Sequence, residues 1–138
     1  MDGKVTWKYG LSFTGVADSG FEVPIVGKAE NGGAGDGPAP MELLLLGLGG
    51  CTGMDVISIL EKKRQTVTHF EILLHGVRNE EHPKVFNKIT VEYVVTGEAL
   101  DPEAVKRAVQ LSETKYCPAM ATFRKTADIT TKITIKAS

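Results

Sequence analysis

The segment that most constrains the fold of this chain reads GLGGCTGMDV and covers residues 47–56. It continues a leucine-rich stretch with helical character, yet it holds four glycines, Gly47, Gly49, Gly50 and Gly53. Each glycine costs a helix interior about 1 kcal/mol relative to alanine. A contact that only a very small residue allows must offset this cost, and the glycines surround Cys51.

We predict that this segment belongs to a helix from about residue 40 to about residue 64. Pro40 suits the first turn of a helix, and Glu42 lies near its positive end. The four leucines at 43–46 make the helix apolar on every side. Such a helix is typical of a fully buried element, so we expect its first half to be buried all round.

The residues on one face of this helix indicate how the helix packs. Gly47, Gly50 and Met54 share that face with Cys51, because they are three or four residues apart. Small residues let a second backbone approach closely, and a single small domain has few elements that could surround this helix. We therefore predict a homodimer, the commonest symmetric assembly. A helix of the same chain is one alternative, and a glycine-loosened core helix without a partner is the other.

The rest of the chain alternates like strands, separated by turn and helix signals. Asp101-Pro102-Glu103 is a typical helix start, and this helix should end near Cys117 because Pro118 disfavours helix at the residue before it. A glycine- and proline-rich loop is predicted at 27–40 and a short helix at 118–124. The predicted order is βββ-α-ββ-αα-β in one domain, 1–138, which is an α+β fold; the strands are predicted at 5–9, 11–16, 21–26, 70–74, 89–95 and 129–135.

Composition excludes several partners. The 138 residues carry a net charge of −1, so no basic field favours nucleic acid or an anionic membrane surface. The start of the sequence has no apolar signal segment, and the apolar run Met41–Leu48 is too short to cross a bilayer. We expect a cytoplasmic protein with no nucleic-acid or membrane partner. His69 and His75 lack a clear third ligand, so we expect no metal site.

The two cysteines, Cys51 and Cys117, are the strongest candidates for chemistry. They do not form a C-x-x-C motif, and a purely structural disulfide is not expected in a chain without an export signal. If Pro118 opens a helix, Cys117 is its N-cap, and the helix dipole with nearby Lys115 favours a thiolate there. Local sequence thus makes Cys117 the more acidic thiol. Together the two could run a redox cycle through sulfenic acid and disulfide; the alternative is that each is a small buried hydrophobe.

Three short motifs carry a resemblance to a known family. They read Pro-Met-Glu-Leu at 40–43, Gly-Gly-Cys-Thr at 49–52 and Tyr-Cys-Pro at 116–118. In this spacing they resemble the OsmC/Ohr family, and most closely its YhfA-like branch. The resemblance implies an intertwined homodimer in which sheets from both chains enclose two central helices. It also implies thiol-dependent reduction of organic hydroperoxides at the subunit interface, with an external dithiol as reductant and without metal or bound cofactor.

The resemblance also implies roles for individual residues. Cys51 would be the peroxidatic thiol and Cys117 the resolving thiol, which reverses the ranking from local acidity. The family's peroxidases use an early arginine held by a glutamate ten residues before the first cysteine, whereas this chain has Met41 there and the acid one place later. Glu42 is therefore the third candidate catalytic residue, with Cys51 and Cys117, although it would not point where the family's glutamate points. No arginine precedes Arg64. This departure keeps a second function open, a dimeric redox-sensing or small-molecule-binding protein with little turnover. The only early cations are the lysines at 4, 8 and 28, and lysine does not reproduce the planar fork of arginine; Arg78 or Arg124 could substitute for it.

Overall fold

The fold combines two three-stranded sheets with three helices. The computed structural model describes residues 1–138. Its backbone falls into two units, Met1–Leu44 and Leu45–Ser138. The elements are β1 (Gly3–Tyr9), β2 (Ser12–Ala17), β3 (Glu22–Val26), α1 (Pro40–Lys62), β4 (Thr66–Arg78), β5 (Phe86–Glu98), α2 (Pro102–Leu111), a π-helical turn (Ser112–Tyr116), α3 (Pro118–Phe123) and β6 (Asp128–Ala137).

The first unit contains an antiparallel sheet in the order β1-β2-β3. Gly10 and Gly20 adopt positive φ in its two turns, a backbone conformation that glycine reaches without steric cost. The indole N–H of Trp7 donates to the Gly10 carbonyl at 2.8 Å and fixes the first turn. Every residue of β1 is nevertheless exposed, including Val5 and Trp7. The predicted loop at 27–40 holds one short 3₁₀ turn, Ala29–Asn31.

The second unit is built on β5, the central strand of the other sheet. β4 pairs with β5 antiparallel and β6 pairs with it parallel. Because side chains alternate across a strand, one face of β5 carries apolar residues in a row. Four of them are fully buried and form the centre of the core: Ile89, Val91, Tyr93 and Val95.

Two glycines of α1 let the helix lie directly on β4. A Cβ at Gly49 would come within 2.6 Å of Leu74 Cδ1, and a Cβ at Gly53 within 2.7 Å of Ile72 Cδ1. Real side chains do not reach such distances without a shift of the neighbour. Gly47 and Gly50 differ, because a Cβ there would meet nothing within 4 Å. Close packing within the chain therefore explains half of the glycine cluster.

The ends of α1 follow from local sequence. The carboxylate of Glu42 accepts a hydrogen bond from the Ala39 N–H at 2.9 Å, which satisfies a donor at the helix start. Arg64 adopts a positive φ, and the Gln65 N–H donates to the Leu60 carbonyl, closing the other end. The helix thus ends at Lys62, two residues before the predicted boundary.

The leucine-rich half of α1 is not buried all round within one chain, so that prediction is wrong for the single subunit. Leu46 is 61% exposed and Met54, two turns further on, is 74% exposed. Over its full length α1 is also apolar enough to cross a membrane, a test that core helices of soluble proteins pass as well. The argument from the short run Met41–Leu48 therefore does not by itself exclude a membrane.

The second helical region begins as predicted and ends in an unexpected way. Asp101 caps α2 by accepting the Glu103 N–H at 3.0 Å. After Leu111 the helix widens into the π-helical turn, which closes when the Cys117 N–H donates to the Ser112 carbonyl at 2.8 Å. α3 then starts at Pro118. The predicted order and the α+β class are confirmed, and a single domain over 1–138 stays a prediction.

We expect Gly49→Ala to give less than the gain of about 1 kcal/mol in helix propensity, because the new Cβ has to displace the Leu74 Cδ1 methyl, the far end of a flexible side chain. In a Leu74→Ala background the clashing atoms are gone, so Gly49→Ala should raise the free energy of unfolding. Urea unfolding of the four proteins measures both effects. An equal gain in both backgrounds would contradict the packing described here.

Candidate active site

The two cysteines lie on separate elements of the second unit. Cys51 is half-buried in the middle of α1, and Cys117 is only 4% exposed between the π-helical turn and α3. Cys117 is the N-cap of α3, as predicted: its sulfur accepts the Met120 N–H at 3.4 Å. Both thiols are free.

The fold brings these two cysteines into one neighbourhood. Burial raises the pKa of the Cys117 thiol to about 11, and the hydrogen bond from the Met120 N–H opposes this rise. Hydrogen bonding to Cys51 and the charge of a Cys51 thiolate raise this pKa further. The thiol of Cys117 is therefore protonated at neutral pH, and its pKa depends on whether Cys51 is ionised.

This result corrects the expectation that Cys117 is an acidic thiol. The predicted N-cap bond is present, but one bond at the end of a six-residue helix does not compensate for removing a thiolate from water. The cation named in the prediction does not help either, since the Lys115 ammonium lies 5.1 Å from the centre of the Tyr116 ring.

The remaining predicted site residue, Glu42, has a structural contact of its own. Its carboxylate is held by the Ala39 N–H in the first turn of α1. The two arginines considered as activators are also engaged elsewhere. Arg78 donates to the Lys84 carbonyl at 2.7 Å in the β4–β5 turn, and Arg124 forms an ion pair with Glu113 at 3.4 Å.

A row of buried oxygen atoms lies beside the thiols and was not predicted. Thr52 Oγ1 is 2.8 Å from Tyr93 Oη and 2.8 Å from Ser112 Oγ. At one end Ser112 Oγ donates to Asp55 Oδ2 at 2.9 Å, and at the other Tyr93 Oη donates to Glu113 Oε2 at 2.8 Å. We call these five side chains the oxygen network: Asp55, Ser112, Thr52, Tyr93 and Glu113.

The network is tied to both cysteines through the backbone. Thr52 follows Cys51 in α1, and Ser112 accepts the Cys117 N–H that closes the π-helical turn. π-helical turns are rare and frequent at functional sites. The one sequence signal for the network was Thr52, the last residue of the Gly-Gly-Cys-Thr motif; Thr52, Tyr93 and Glu113 come from three different elements.

Tyr93 is the most strongly perturbed group of the network. Burial raises its pKa well above the usual range, and the charges of Glu113 and of a Cys117 thiolate act in the same direction, while the bond with Thr52 opposes them. Its hydroxyl therefore keeps its proton over the working pH range. The Glu113 side chain, 8% exposed, also accepts from Thr131 Oγ1 at 2.6 Å.

Two cavities of the second unit border this region. An apolar cavity of about 550 Å³ lies between α1 and β4, and Gly50, the residue before Cys51, is part of its wall together with Met54 and Phe70. A second cavity of about 450 Å³ is lined by Asp55, Ser58, Ile59, Lys62, Leu111 and Tyr116. The first can take an alkyl group, and the second gives one end of the oxygen network access to solvent.

Comparison with known proteins agrees with this fold and its motifs. The family model for OsmC-like proteins matches residues 33–132. The chain belongs to the OsmC-like family. It is 41% identical over 131 residues to Protein YhfA of Escherichia coli K12, covering 94% of both chains.

Solved structures of OsmC-like and related proteins share the fold. A hypothetical protein from Aquifex aeolicus is 32% identical, with a TM-score of 0.87 over 99% of this chain and 96% of that one. An organic hydroperoxide resistance protein OsmC from Legionella pneumophila is 16% identical, with a TM-score of 0.73 over 96% and 95%. The predicted resemblance to the OsmC/Ohr family and the predicted fold class are thereby confirmed.

In a Cys51→Ser variant we expect the Cys117 thiol to have a pKa slightly below the value of about 11 in the wild type, because the Cys51 thiol contributes to raising it. Thiolate absorbance in the ultraviolet, followed against a Cys51→Ser, Cys117→Ser double variant, measures it. A midpoint below 8 would mean that the helix N-terminus, and not burial, sets the acidity of this thiol.

Proposed function

We propose that the protein is a thiol-dependent peroxidase that reduces organic hydroperoxides through Cys51 and Cys117. The observation that carries the proposal is the neighbourhood of the two thiols, in which the pKa of Cys117 responds to Cys51. Some OsmC-like relatives are named organic hydroperoxide resistance proteins. The chemistry needs no metal or organic cofactor.

The first step is oxidation of Cys51. Its thiolate attacks the terminal, hydroxyl oxygen of the hydroperoxide; the S–O bond forms as the O–O bond breaks, and the alkoxide takes a proton and leaves as the alcohol. The sulfur becomes a sulfenic acid while the peroxide gains two electrons. Cys117 is unsuited to this step because its thiol is buried and protonated at neutral pH, and only the thiolate is a good nucleophile.

The second step uses Cys117 as the resolving thiol. Its sulfur attacks the sulfenic sulfur, the S–S bond forms, and the displaced hydroxide leaves as water with the proton that Cys117 gives up. An external dithiol then reduces the disulfide by exchange and is itself oxidised. In this scheme Glu42 acts indirectly, by fixing the start of the helix that carries Cys51.

The apolar cavity beside Gly50 favours organic over inorganic peroxides. Its walls combine leucine, isoleucine, methionine and phenylalanine side chains with glycine backbone. Burying an alkyl group contributes about 25 cal/mol per Å² of apolar surface, which hydrogen peroxide cannot gain. We therefore propose alkyl and aryl hydroperoxides as the substrate class, in a cytoplasmic homodimer.

The exposed face of α1 supports the dimer. Leu46, Gly50 and Met54 follow one another at helical spacing, and nothing within the chain covers Gly50. A second copy of α1 packed there would bury this face and close the apolar cavity. The early arginine of the family has no counterpart in this chain, so a cation for Cys51 has to come from another position.

A second candidate function is a redox sensor that is oxidised once and turns over slowly. The high pKa of Cys117 favours it, because a protonated resolving thiol forms the disulfide slowly at neutral pH. The two candidates differ in turnover and not in the first oxidation.

We expect the wild type to consume an excess of cumene hydroperoxide in the presence of a dithiol, and Cys51→Ser to lose this activity. Cys117→Ser should still undergo the first oxidation but accumulate sulfinic and sulfonic acid at Cys51, visible by mass spectrometry. If the wild type forms one disulfide per chain and then consumes no more hydroperoxide, the redox-sensor function is supported instead. Unchanged thiols after exposure would exclude both functions.

We expect the protein to sediment as a dimer and Met54→Lys to shift it towards monomer, because a lysine charge buried at the interface is costly. Leu73→Lys is the matched control: Leu73, 49% exposed, is likewise an exposed apolar residue of the second unit, but it lies on β4 and outside the exposed face of α1. Analytical ultracentrifugation measures both. A monomeric wild type would remove the dimer from the proposal.

A further inference from the structure

The carboxylate of Glu113 joins the π-helical turn to three other elements of the second unit. Tyr93 Oη on β5 donates to this carboxylate at 2.8 Å, and Thr131 Oγ1 on β6 donates to it at 2.6 Å. The guanidinium of Arg124, the residue that caps the end of α3, forms an ion pair with it at 3.4 Å. Hydrogen bonds to ionised groups are about twice as strong as bonds between neutral groups, so this nearly buried side chain fixes the turn to the sheet and to α3.

Cys117 lies between the two points that Glu113 connects. The π-helical turn precedes it and closes when its N–H donates to the Ser112 carbonyl. α3 follows it, and the Cys117 sulfur caps this helix by accepting the Met120 N–H. Glu113 belongs to the turn before the thiol, and Arg124 ends the helix after it. The ion pair between them therefore bridges the segment that carries the thiol.

Cys51 is in contact with this segment. Its thiol is a hydrogen-bond partner of the Cys117 thiol, and a disulfide requires the two sulfur atoms about 2 Å apart. A segment that is free to move would spread Cys117 over many positions, whereas a fixed segment has lost that conformational freedom before the bond forms. The contacts of Glu113 therefore influence how readily the two thiols pair.

We propose that Glu113 is a positioning residue of the two-cysteine cycle, which holds Cys117 against Cys51 and so raises the effective concentration of one thiol at the other. This role rests on the proposed pairing of the two cysteines. Glu113 acts through the backbone of the π-helical turn and through Arg124 at the end of α3. It takes no part in the transfer of electrons.

A contact that only stabilises the fold would not favour the disulfide over the two thiols. Such a contact raises the free energy of unfolding of both forms by the same amount, so the equilibrium between them does not change. A contact that positions Cys117 shifts this equilibrium towards the disulfide, because less conformational freedom remains to be lost. The effective concentration of the two thiols, measured in the folded protein, therefore separates positioning from stability.

Two threonines of β6 provide a matched pair of variants. Thr131→Val removes one hydrogen bond to Glu113 and leaves the carboxylate in place. Thr134→Val removes a bond of the same kind, in which the hydroxyl donates to the Glu92 carboxylate at 2.7 Å on the opposite face of the same sheet. Thr131→Ser keeps the hydroxyl and is the conservative rescue, and Arg124→Met removes a second contact of Glu113.

Each full-length protein is equilibrated without oxygen in buffers of reduced and oxidised glutathione, and the intramolecular disulfide is quantified by mass spectrometry after alkylation of the free thiols. As the S–S bond forms, oxidised glutathione takes up the two electrons and both thiol protons and gives two molecules of reduced glutathione. Cys51→Ser and Cys117→Ser report the mixed disulfides with glutathione and correct for them. Urea unfolding of the reduced proteins measures the free energy of unfolding.

We expect Thr131→Val and Arg124→Met to lower the effective concentration by roughly 3–10-fold, the factor that one net hydrogen bond contributes to an equilibrium. Thr131→Ser should keep the wild-type value. Thr134→Val should lower the free energy of unfolding and leave the effective concentration unchanged, because its bond to Glu92 lies outside the contacts that hold the turn.

Three results would overturn the positioning role. They are a wild-type effective concentration in both Thr131→Val and Arg124→Met, an equal loss in Thr134→Val, and no intramolecular disulfide in the wild type. If the effective concentration falls as expected but the wild type consumes no hydroperoxide, the peroxidase is refuted and Glu113 keeps its role. Hydroperoxide turnover without any change in the equilibrium refutes the role of Glu113 alone.

Discussion

The close packing of α1 on β4 is the contact on which the second unit depends. Glycine at positions 49 and 53 favours it, since the terminal methyls of Leu74 and Ile72 lie in the space that a Cβ would occupy. These glycines lower the intrinsic stability of the helix, but they allow the helix to lie directly on the sheet. Cys51 lies between the two glycines, and Thr52, the next residue, contacts the hydroxyl of Tyr93 on β5 at 2.8 Å.

Competition between burial and hydrogen bonding decides the character of the second thiol. A helix N-terminus favours a thiolate, and Cys117 does receive the Met120 N–H. Removal from water acts more strongly and in the opposite direction, which leaves a protonated thiol. The ranking of the two thiols from local sequence and the ranking implied by the family therefore no longer conflict: a buried, protonated Cys117 suits the second step of a two-cysteine cycle better than the first.

The π-helical turn connects this thiol to the polar interior. Ser112 and Glu113, two consecutive residues of this turn, both contribute to the oxygen network, and the Cys117 N–H closes the turn on the Ser112 carbonyl. Every buried polar side-chain atom finds a hydrogen-bond partner in the resulting arrangement.

Local sequence determined the elements of this protein. Alternation of apolar residues located the strands, Asp101 and Pro118 marked helix starts, and the motifs around Cys51 and Cys117 indicated the OsmC-like family. These signals are short-range, and each depends on residues a few positions apart. Only the tertiary structure decided the acidity of Cys117, the contact that engages Arg124, and the meeting of Thr52, Tyr93, Ser112 and Glu113. Desolvation and buried hydrogen bonds depend on residues far apart in sequence, and no local pattern encodes which of them meet.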